Sequence, residues 1–366
     1  MFFYQQNHKN LERYIELKCD LSIKDNIFPC ESLITSQLKR DHDDLSAEWL
    51  IEHVCNQHFT CLLRPDINFN QLALIKTKAI FKYTNRSGFE SDNLYKEYTK
   101  YKDKFAKSLP EPIILLHPVI FSEYIEDKPE RLYQFDGMHR VMSALEAGIN
   151  ELDAFVIVRR KDIGKLISPN ITQDIFNEGG KCTWFPRYQQ IKEVNIEGQR
   201  VQEPRYTDIY DFSILKDKTV VDFGGNIGQS AVESYFNEVD RFYNFDIQRD
   251  ALKTADKIFK ALNMTNCSNH FINFNLSTFK DDVMQVVSGW DWCIFQAIYR
   301  TKEINDIKSA FKFIVDNTRE GIIFEGNGEP TIDTDEFYYD IFDEFNFKSI
   351  QSLGLCQQRP AYILSK

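Results

Sequence analysis

The C-terminal part of the chain alternates short apolar runs with amphipathic stretches. From Lys218 onward the runs TVVDF, RFYNFDI, HFINF, WCIFQAI and GIIFEG have the length of strands, and helical patterns separate most of them. This alternation is typical of a parallel sheet that helices cover on both faces. Two last runs, FKSIQSL and AYILS, predict an antiparallel hairpin that completes the sheet. We therefore predict an α/β domain over residues 205–366.

The preceding residues follow different patterns. Residues 69–165 predict a small α+β domain, with strands in LALIKTKAIFKY, IILLHPVIF, RLYQF and DAFVIVRR and helices over 94–105 and in HRVMSALEAG. Gly148 closes the second helix as a C-terminal cap. Residues 1–68 show helical spacing in LERYIEL and LSAEWLIEHVC, which predicts a helical N-terminal extension. The polar stretch 166–204 predicts a linker that ends in a lead-in segment for the α/β domain.

Composition narrows the class of protein. The chain has 366 residues, 43% of them hydrophobic, which suits two domains with their own cores. A net charge of −11 disfavours a protein that coats nucleic acid. The cysteines form no CxxC pair; Cys55, His58 and Cys61 come nearest to metal spacing, but free thiols in a reducing cytosol are the favoured interpretation. We expect no metal, signal peptide or membrane span, and a cytoplasmic location.

The sequence TVVDFGGNIGQSAVESY carries the strongest chemical signal. A buried strand ends at Asp222, a tight loop contains Gly224, Gly225 and Gly228, and a helix begins near Gln229. Glycines let the backbone turn sharply and approach a ligand, and a helix start offers free N–H groups. This loop is therefore a candidate ligand site, the alternative being a structural turn without a ligand.

The spacing of the loop separates two classes of cofactor. A dinucleotide fingerprint counted from the first glycine requires glycines at 226 and 229, where the chain has Asn226 and Gln229. The carboxylate of Asp222 suits the amino group of a methionine moiety better than a pyrophosphate. Asp246 ends the next strand in NFDI and can accept hydrogen bonds from both ribose hydroxyls, unless it only caps the following helix. The pattern favours S-adenosylmethionine.

These motifs resemble those of class I methyltransferases. VVDFGGNIG is similar to their first motif, with Asn226 where glycine is common, and NFDI to their second. FNLS around Asn275 lies where the family often places an acidic adenine contact, and DWCIFQAIY resembles the fourth motif, with Gln296 on the cofactor side. WFPRYQQI and EPRY are similar to the segment before the first motif in small-molecule and glycan methyltransferases. The resemblance covers roughly 182–366 and implies a Rossmann-like methyltransferase domain. The cofactor contacts that it implies are Asp222, Gly224, Gly225, Asn226, Gly228, Asp246, Asn275 and Gln296.

The acceptor is less well specified. Where many relatives carry a histidine base, this chain has Tyr299 and Arg300, and the nearest acids are Glu325 and Glu329 in FEGNGE. A carboxylate at a strand end can deprotonate a hydroxyl, so Glu325 is the candidate base; the alternative is that it orders the loop. No DPPY or NPPY motif of amino-group methylation is present. We therefore expect oxygen as the target atom, on a small-molecule or glycan-like acceptor.

A second motif, QFDGMHRVMSALEAG, lies in the middle region. Asp136 and Gly137 follow a strand, and His139 and Arg140 open a helix, so an imidazole, a guanidinium and backbone N–H groups surround an anion-sized space. Asp136 is placed to hold Mg²⁺ or to orient a hydroxyl. The alternative is a capped helix whose histidine and arginine are merely exposed.

This second motif resembles the ParB/sulfiredoxin superfamily over about 70–165, and the Asp-Gly-x-His-Arg form resembles its free-serine kinases. The resemblance implies binding of ATP or ADP with Mg²⁺ and active-site roles for Asp136 and, less clearly matched, for Glu90 as base. Nucleotide binding without phosphoryl transfer is the other interpretation. The sequence thus favours a methyltransferase joined to a nucleotide-binding module that is a candidate kinase. In the alternative, that module only senses nucleotide and regulates the methyltransferase.

Overall fold

A computed structural model describes most of the chain. The described residues are 14–22, 26–32, 69–93, 95–105, 107–108, 111–117, 132–182, 188–203, 205–302, 304–329 and 331–366. The chain divides into two compact units, Met1–Leu166 and Ile167–Lys366. No helix within the described ranges is long and apolar enough to cross a membrane. Those ranges also contain no group of three or more side chains that could hold a metal ion.

The N-terminal unit is built on a mixed sheet with the order β1-β3-β6-β4-β5, and β2 pairs with β3. Its strands are β1 (Ile15–Cys19), β2 (Ile27–Pro29), β3 (Leu72–Tyr83), β4 (Ile113–Leu116), β5 (Tyr133–Asp136) and β6 (Glu151–Arg159). Its helices are α1 (Arg86–Glu90), α2 (Tyr95–Tyr98), α3 (Lys102–Phe105), α4 (Met138–Glu146) and α5 (Ile163–Leu166). The α+β prediction for this region agrees with these elements.

Several local predictions for this unit are confirmed. Strand β3 coincides with the run LALIKTKAIFKY and pairs with β6 in antiparallel register from Leu72, opposite Arg159. Helix α4 buries its apolar face, and Gly148 after it has a φ of 80°, as a C-terminal cap requires. The predicted helix over 94–105 is instead two short helices, α2 and α3. The run IILLHPVIF forms a strand over Ile113–Leu116, and its part from Pro118 lies outside the described residues.

The helical prediction for the stretch LERYIEL is wrong over the residues that the structure describes. Residues Ile15–Cys19 of the stretch LERYIELKC form strand β1, which pairs with the edge of β3. Glu16 lies opposite Lys82, and their charged groups are 2.7 Å apart. Pairing with an open sheet edge overrides a short helical pattern, because the edge satisfies the backbone hydrogen bonds. The stretch LSAEWLIEHVC and the trio Cys55, His58 and Cys61 lie outside the described residues.

The C-terminal unit is a Rossmann-like α/β fold with the strand order β12-β13-β11-β10-β7-β8-β9. Its strands are β7 (Thr219–Phe223), β8 (Arg241–Asp246), β9 (Cys267–Phe271), β10 (Trp290–Gln296), β11 (Thr318–Glu325), β12 (Ser349–Cys356) and β13 (Arg359–Ser365). Its helices are α6 (Pro169–Gly179), α7 (Gln229–Phe236), α8 (Arg249–Ala261), α9 (Phe279–Val286), α10 (Ile307–Asn317) and α11 (Asp335–Asp343). Strands β7 to β11 are parallel, and β12 and β13 form the predicted antiparallel hairpin.

Two boundaries in this unit differ from the prediction. Strand β9 begins three residues before the run HFINF, and Ile272 and Phe274 turn into the core instead of extending the strand. The predicted linker 166–204 contains helix α6, which packs on α8 and joins it through Asp174 and Lys257 at 2.8 Å. Pro169 occupies the start of α6, where a missing N–H has no cost. The stretch from Ile167 therefore belongs to the C-terminal unit.

Candidate functional site

The glycine loop between β7 and α7 has the conformation that its sequence requires. Gly224, Asn226 and Gly228 have φ values of 76°, 54° and 88°, a region that favours glycine and tolerates asparagine. The Gly224 N–H donates to the Phe245 carbonyl at 2.7 Å and so ties the loop to the end of β8. The substitution of asparagine at position 226 therefore preserves the shape of the loop.

Gly225 is required for another reason, which is close packing. A Cβ atom at this position would lie 1.8 Å from Asn244 Oδ1 and 2.7 Å from Asp222 Oδ2. Asn244 is fully buried and its Nδ2 donates to the Asn226 carbonyl at 3.2 Å and to Asn269 Oδ1 at 2.7 Å. The sequence did not indicate Asn244, although it stands two residues before the predicted ribose contact.

Asp246 is held in a fixed orientation beside this loop. It is 6% exposed, and its two carboxylate oxygens accept hydrogen bonds from the Asn226 and Gln248 N–H groups at 2.9 and 2.7 Å. Burial raises the pKa of Asp246, and these backbone donors oppose the rise. Gln248 is the residue before helix α8, so the bond from its N–H group orders the approach to the helix and does not cap an N–H group of its first turn. A carboxylate fixed in this way retains lone pairs for a ligand hydroxyl.

Asp222 lies at the end of the neighbouring strand β7, and the pKa of its carboxyl group is raised. It is 3% exposed, and burial raises its pKa to about 8. The Arg205 guanidinium and the Ser230 hydroxyl lower this pKa, while the charge of Asp246 raises it further. A cationic ligand group beside Asp222 would favour the ionised carboxylate.

The segment 188–203 packs directly on the glycine loop. Gln189 Nε2 donates to the Gly225 carbonyl at 3.2 Å, and its Oε1 accepts from the Gln229 N–H at 3.3 Å. Gln229 Nε2 in turn donates to the Gln190 carbonyl at 2.8 Å. Gly198 permits this packing, because a Cβ there would lie 2.4 Å from the Gln189 carbonyl carbon. The segment thus covers the loop and caps the start of α7.

Arg205 and Gln296 leave two buried donors without a protein partner. Arg205 opens a single π-helical turn over Arg205–Ile209, and its Nη2 donates to Gln296 Oε1. Within the described part of the chain, Arg205 Nε and Gln296 Nε2 are both buried and make no hydrogen bond. Buried polar groups are rarely left unpaired, so these atoms are candidates for ligand contacts. The sequence indicated Gln296 and missed Arg205.

Glu325 does not have the environment of a general base. It is fully buried, and its carboxylate contacts Arg200 Nη2, Arg205 Nη2 at 3.3 Å, Arg359 Nη1 at 3.4 Å and the Tyr210 hydroxyl at 2.8 Å. Burial alone would raise the pKa of Glu325, but Arg205 and Arg200 outweigh it and the pKa is lowered. A low pKa and occupied lone pairs both oppose proton abstraction. The proposed base role is therefore contradicted by the geometry. The alternative, that Glu325 orders the loop after β11, is not supported either, because these side-chain partners lie outside that loop.

The loop that follows Glu325 is anchored by a different carboxylate. Asp333 accepts hydrogen bonds from the Tyr338 hydroxyl and from the Glu329 N–H, both at 2.6 Å, and contacts Arg300 at 3.2 Å. Ala297, at the end of β10, has a φ of 62°, which is a strained value for alanine. These contacts fix the loop on the same edge of the sheet as the glycine loop.

Asn275, the predicted adenine contact, lies after β9 and is exposed. Its Oδ1 accepts a hydrogen bond from the Asn305 N–H at 2.8 Å, which joins two loops at the same edge of the sheet. An adenine contact through this amide stays a prediction.

The second motif forms a strand–turn–helix junction in the N-terminal unit. Gly137 precedes α4 with a φ of 97°, and a Cβ there would lie 2.6 Å from Ile113 Cγ2. His139 Nδ1 lies 3.2 Å from the Glu97 carbonyl, and Arg140 Nη1 donates to the Pro112 carbonyl at 2.7 Å. Asp136 ends strand β5, and its side chain lies outside the described part of the structure. His139 and Arg140 thus both contact backbone carbonyls.

The structure separates Glu90 from this turn. Glu90 pairs with Arg86 at 2.8 Å, and Arg86 pairs with Glu146 at 3.2 Å. Glu146 is the last of the nine residues of α4, whereas Gly137 precedes the first. At 1.5 Å per residue the helix spans about 13 Å, so Glu90 lies near the far end. These contacts do not bring Glu90 to the start of α4, and a base role for Glu90 stays a prediction.

Comparisons with known proteins give only distant similarities. No protein-family model matches the chain, and no curated protein matches its sequence. SMU.776, a proposed methyltransferase in complex with S-adenosylhomocysteine (SAH), is 14% identical over 42% of this chain and 46% of its own, with a TM-score of 0.34. The N-terminal domain of EvdMO1, crystallised with SAH and D-fucose, is 11% identical over 54% of this chain and 94% of its own, with a TM-score of 0.39. WbdD is 13% identical over 52% and 47%, with a TM-score of 0.38.

The matches with SMU.776 and WbdD span about half the length of those proteins. At these TM-scores the similarities do not assign a family to this chain. The function has to follow from the residues of the site.

Proposed function

We propose that the C-terminal unit binds S-adenosylmethionine and transfers its methyl group to an oxygen atom of a small-molecule or glycan-like acceptor. One observation carries the proposal: two buried carboxylates, Asp222 and Asp246, end neighbouring parallel strands on either side of a glycine loop. Ligands of open α/β sheets bind outside the carboxyl ends of the strands.

The adenosine half belongs beside β8. The Asp246 carboxylate, already oriented by two backbone N–H groups, accepts hydrogen bonds from the ribose hydroxyls in this proposal. Asn275, in the loop after β9, contacts the adenine. Gly224, Gly225, Asn226 and Gly228 bring the backbone close to the cofactor, because no side chain larger than Asn226 projects from the loop before Ile227.

The methionine half belongs beside β7 and β10. Asp222 pairs with the α-ammonium group. The positive charge of this group stabilises the ionised carboxylate and so lowers the raised pKa of Asp222. The methionine carboxylate accepts hydrogen bonds from Arg205 Nε and Gln296 Nε2, two of the buried donors that have no hydrogen-bond partner among the described residues. Each charged or polar group of the amino acid thereby meets a complementary group of the site.

The reaction itself needs positioning more than acid–base chemistry. The acceptor oxygen forms a bond to the methyl carbon while the bond from that carbon to sulfur breaks, and the electron pair remains on sulfur. The sulfonium becomes the neutral thioether of SAH, and the hydroxyl proton leaves to water. In-line alignment of oxygen, carbon and sulfur supplies the catalysis. Because Glu325 is buried and paired with arginines, no side chain is assigned as base.

Isothermal titration calorimetry tests this proposal with S-adenosylmethionine and NAD as ligands. We expect one S-adenosylmethionine per chain and no comparable binding of NAD, because positions 226 and 229 lack the glycines of a dinucleotide loop. Asp246→Ala removes a charged hydrogen-bond acceptor and should weaken binding about tenfold or more. Arg319→Gln, at the opposite end of β11 from Glu325, is the matched surface control and should bind as the wild type does. A wild-type protein that binds neither S-adenosylmethionine nor SAH contradicts the proposal.

For the N-terminal unit we propose nucleotide binding at the start of α4, with regulation of the methyltransferase as its role. The resemblance to ParB/sulfiredoxin proteins supports this role, and so does the start of α4, where Gly137 makes no side-chain cap. Phosphoryl transfer is the weaker version, because Glu90 pairs with Arg86, which contacts Glu146 at the end of α4 remote from Gly137. Titration with ATP and ADP, with and without Mg²⁺, tests this binding. If neither nucleotide binds, the proposal for the N-terminal unit is wrong.

A further inference from the structure

Three guanidinium groups converge on one carboxylate at the carboxyl edge of the C-terminal sheet. They belong to Arg200, Arg205 and Arg359, and the carboxylate is that of Glu325. Their side chains are 7%, 4% and 21% exposed, and that of Glu325 is 0% exposed. The fourth contact of this carboxylate, the Tyr210 hydroxyl, is neutral. A buried charge without a counter-charge destabilises the folded protein, so a cluster of this composition favours the binding of an anion.

The cofactor does not supply enough negative charge to balance this cluster. Among the groups in direct contact, three guanidinium groups face the carboxylate of Glu325 and, in the proposed complex, the cofactor carboxylate at Arg205. Asp222 is paired with the α-ammonium group. The direct contacts of the cluster therefore keep an excess of one positive charge when the acceptor binds, and an anionic group of the acceptor can offset it.

Arg359 is the arginine that an acceptor can reach. It is the most exposed of the three, at the start of β13, and within the described part of the chain its guanidinium makes one polar contact, the 3.4 Å approach to Glu325. A guanidinium has five donors, so Arg359 retains a fork for an oxyanion. The backbone at Gly328 lies against the Arg359 side chain, since a Cβ there would be 2.9 Å from Arg359 Cγ. Asp333 anchors the loop that contains Gly328, which fixes the direction of the arginine.

We propose that the methyl acceptor carries an oxyanion, a carboxylate or a phosphate, and that Arg359 binds it beside the Glu325 cluster. This inference rests on the proposed function, because it names the class of acceptor for the same site. The oxyanion orients the acceptor hydroxyl towards the methyl group, and its charge offsets the surplus of the arginine cluster. Neutral acceptors of the same size bind weakly.

Calorimetry with the SAH-saturated full chain tests the inference at constant ionic strength. The titrants are inorganic phosphate, D-glucose 6-phosphate, D-glucuronate and neutral D-glucose. We expect at least one of the anionic titrants to bind about tenfold more tightly than D-glucose, because a charge-assisted fork is lost with the neutral sugar. Whether glucuronate or the phosphates bind more tightly distinguishes a carboxylate from a phosphate.

Two arginine variants complete the experiment. Arg359→Gln should remove the preference for anions, and Arg359→Lys should keep part of it, whereas Arg319→Gln should keep all of it. SAH binding by each variant reports whether the site is intact. If wild type binds SAH but no anionic titrant more tightly than D-glucose, or if Arg359→Gln keeps the preference, the inference is wrong while the proposed function stands. If wild type does not bind SAH, the proposed function itself fails.

Discussion

The two units contain junctions with similar sequences, in which an aspartate and a left-handed glycine connect a strand to a helix. At the Gly137 turn, His139 and Arg140 contact the backbone carbonyls of Glu97 and Pro112. One buried polar atom beside this turn, the Tyr98 hydroxyl oxygen, has no partner among the described residues, and the Tyr98 ring lies 5.3 Å from that of His139. Around the glycine loop of the C-terminal unit three such atoms are found, Arg205 Nε, Asn244 Oδ1 and Gln296 Nε2. A strand–glycine–helix pattern thus specifies a backbone shape, and the unpaired polar groups around it indicate where a ligand is expected.

Of the substitutions that test this difference, one at Gly225 should have the largest effect on cofactor affinity. Gly225→Ala places a Cβ 1.8 Å from Asn244 Oδ1 and should displace the side chain that ties the loop to β8 and β9. We expect S-adenosylmethionine affinity to fall by about 100-fold or more, since overpacking by one methyl typically costs about 1–3 kcal/mol and here the displaced group orders the binding loop. Calorimetry measures the loss.

Gly354→Ala is the matched control for this substitution. Gly354 has a φ of 80° and open space around its Cα, so alanine adds backbone strain without a clash. It should lower stability slightly and leave the affinity unchanged. Equal affinities of the Gly225→Ala and wild-type proteins would show that the loop does not approach a ligand.

An arginine near each junction, Arg205 in the C-terminal unit and Arg140 in the N-terminal unit, allows a paired test. Arg205→Lys keeps a positive charge near Glu325 but removes the Nε donor, and we expect S-adenosylmethionine to bind about 10- to 100-fold more weakly. Arg140→Lys removes the donor to the Pro112 carbonyl and should change stability by about 1 kcal/mol without any effect on S-adenosylmethionine binding. Calorimetry and thermal unfolding measure both effects. A normal affinity in Arg205→Lys would show that its unpaired donor has no ligand.

A third test uses pH and gives the smallest effect. Because the pKa of Asp222 is about 8 without a ligand and a bound ammonium group requires the ionised carboxylate, binding must release a proton below that pH. We expect affinity to rise with pH by at most about tenfold per unit between about pH 6 and pH 7.5. Asp222→Asn should bind weakly and lose most of this dependence. An affinity that falls as pH rises in this window would contradict the assignment.

Local patterns were sufficient to predict the parallel sheet and the glycine loop beside it. Five apolar runs with intervening helices specify parallel order, and the carboxyl ends of β7 and β8 then bring Asp222 and Asp246 together. The glycine spacing fixes the loop in the same way, because positive φ values are restricted to a few residue types. These features depend on residues close in sequence or on a general rule of chain topology.

Other features depend on contacts between residues far apart in sequence. Arg200 and Tyr210 meet Glu325 from 125 and 115 residues away, so nothing local distinguishes Glu325 from an accessible base. Residues Ile15–Cys19 form strand β1 because their backbone pairs with the edge of β3, although their apolar residues are spaced as in a helix. Glu90 is held near the C-terminal end of α4 by Arg86, which contacts Glu146. No sequence motif indicates this contact.

The account depends on the claim that unpaired buried groups mark the cofactor site. A crystal structure of the full chain with SAH tests this most directly. We predict that the ribose hydroxyls contact Asp246, the ammonium group contacts Asp222, and the carboxylate lies within hydrogen-bond distance of Arg205 Nε and Gln296 Nε2. A ligand bound elsewhere, or one whose carboxylate leaves both of these donors unpaired, would contradict the account.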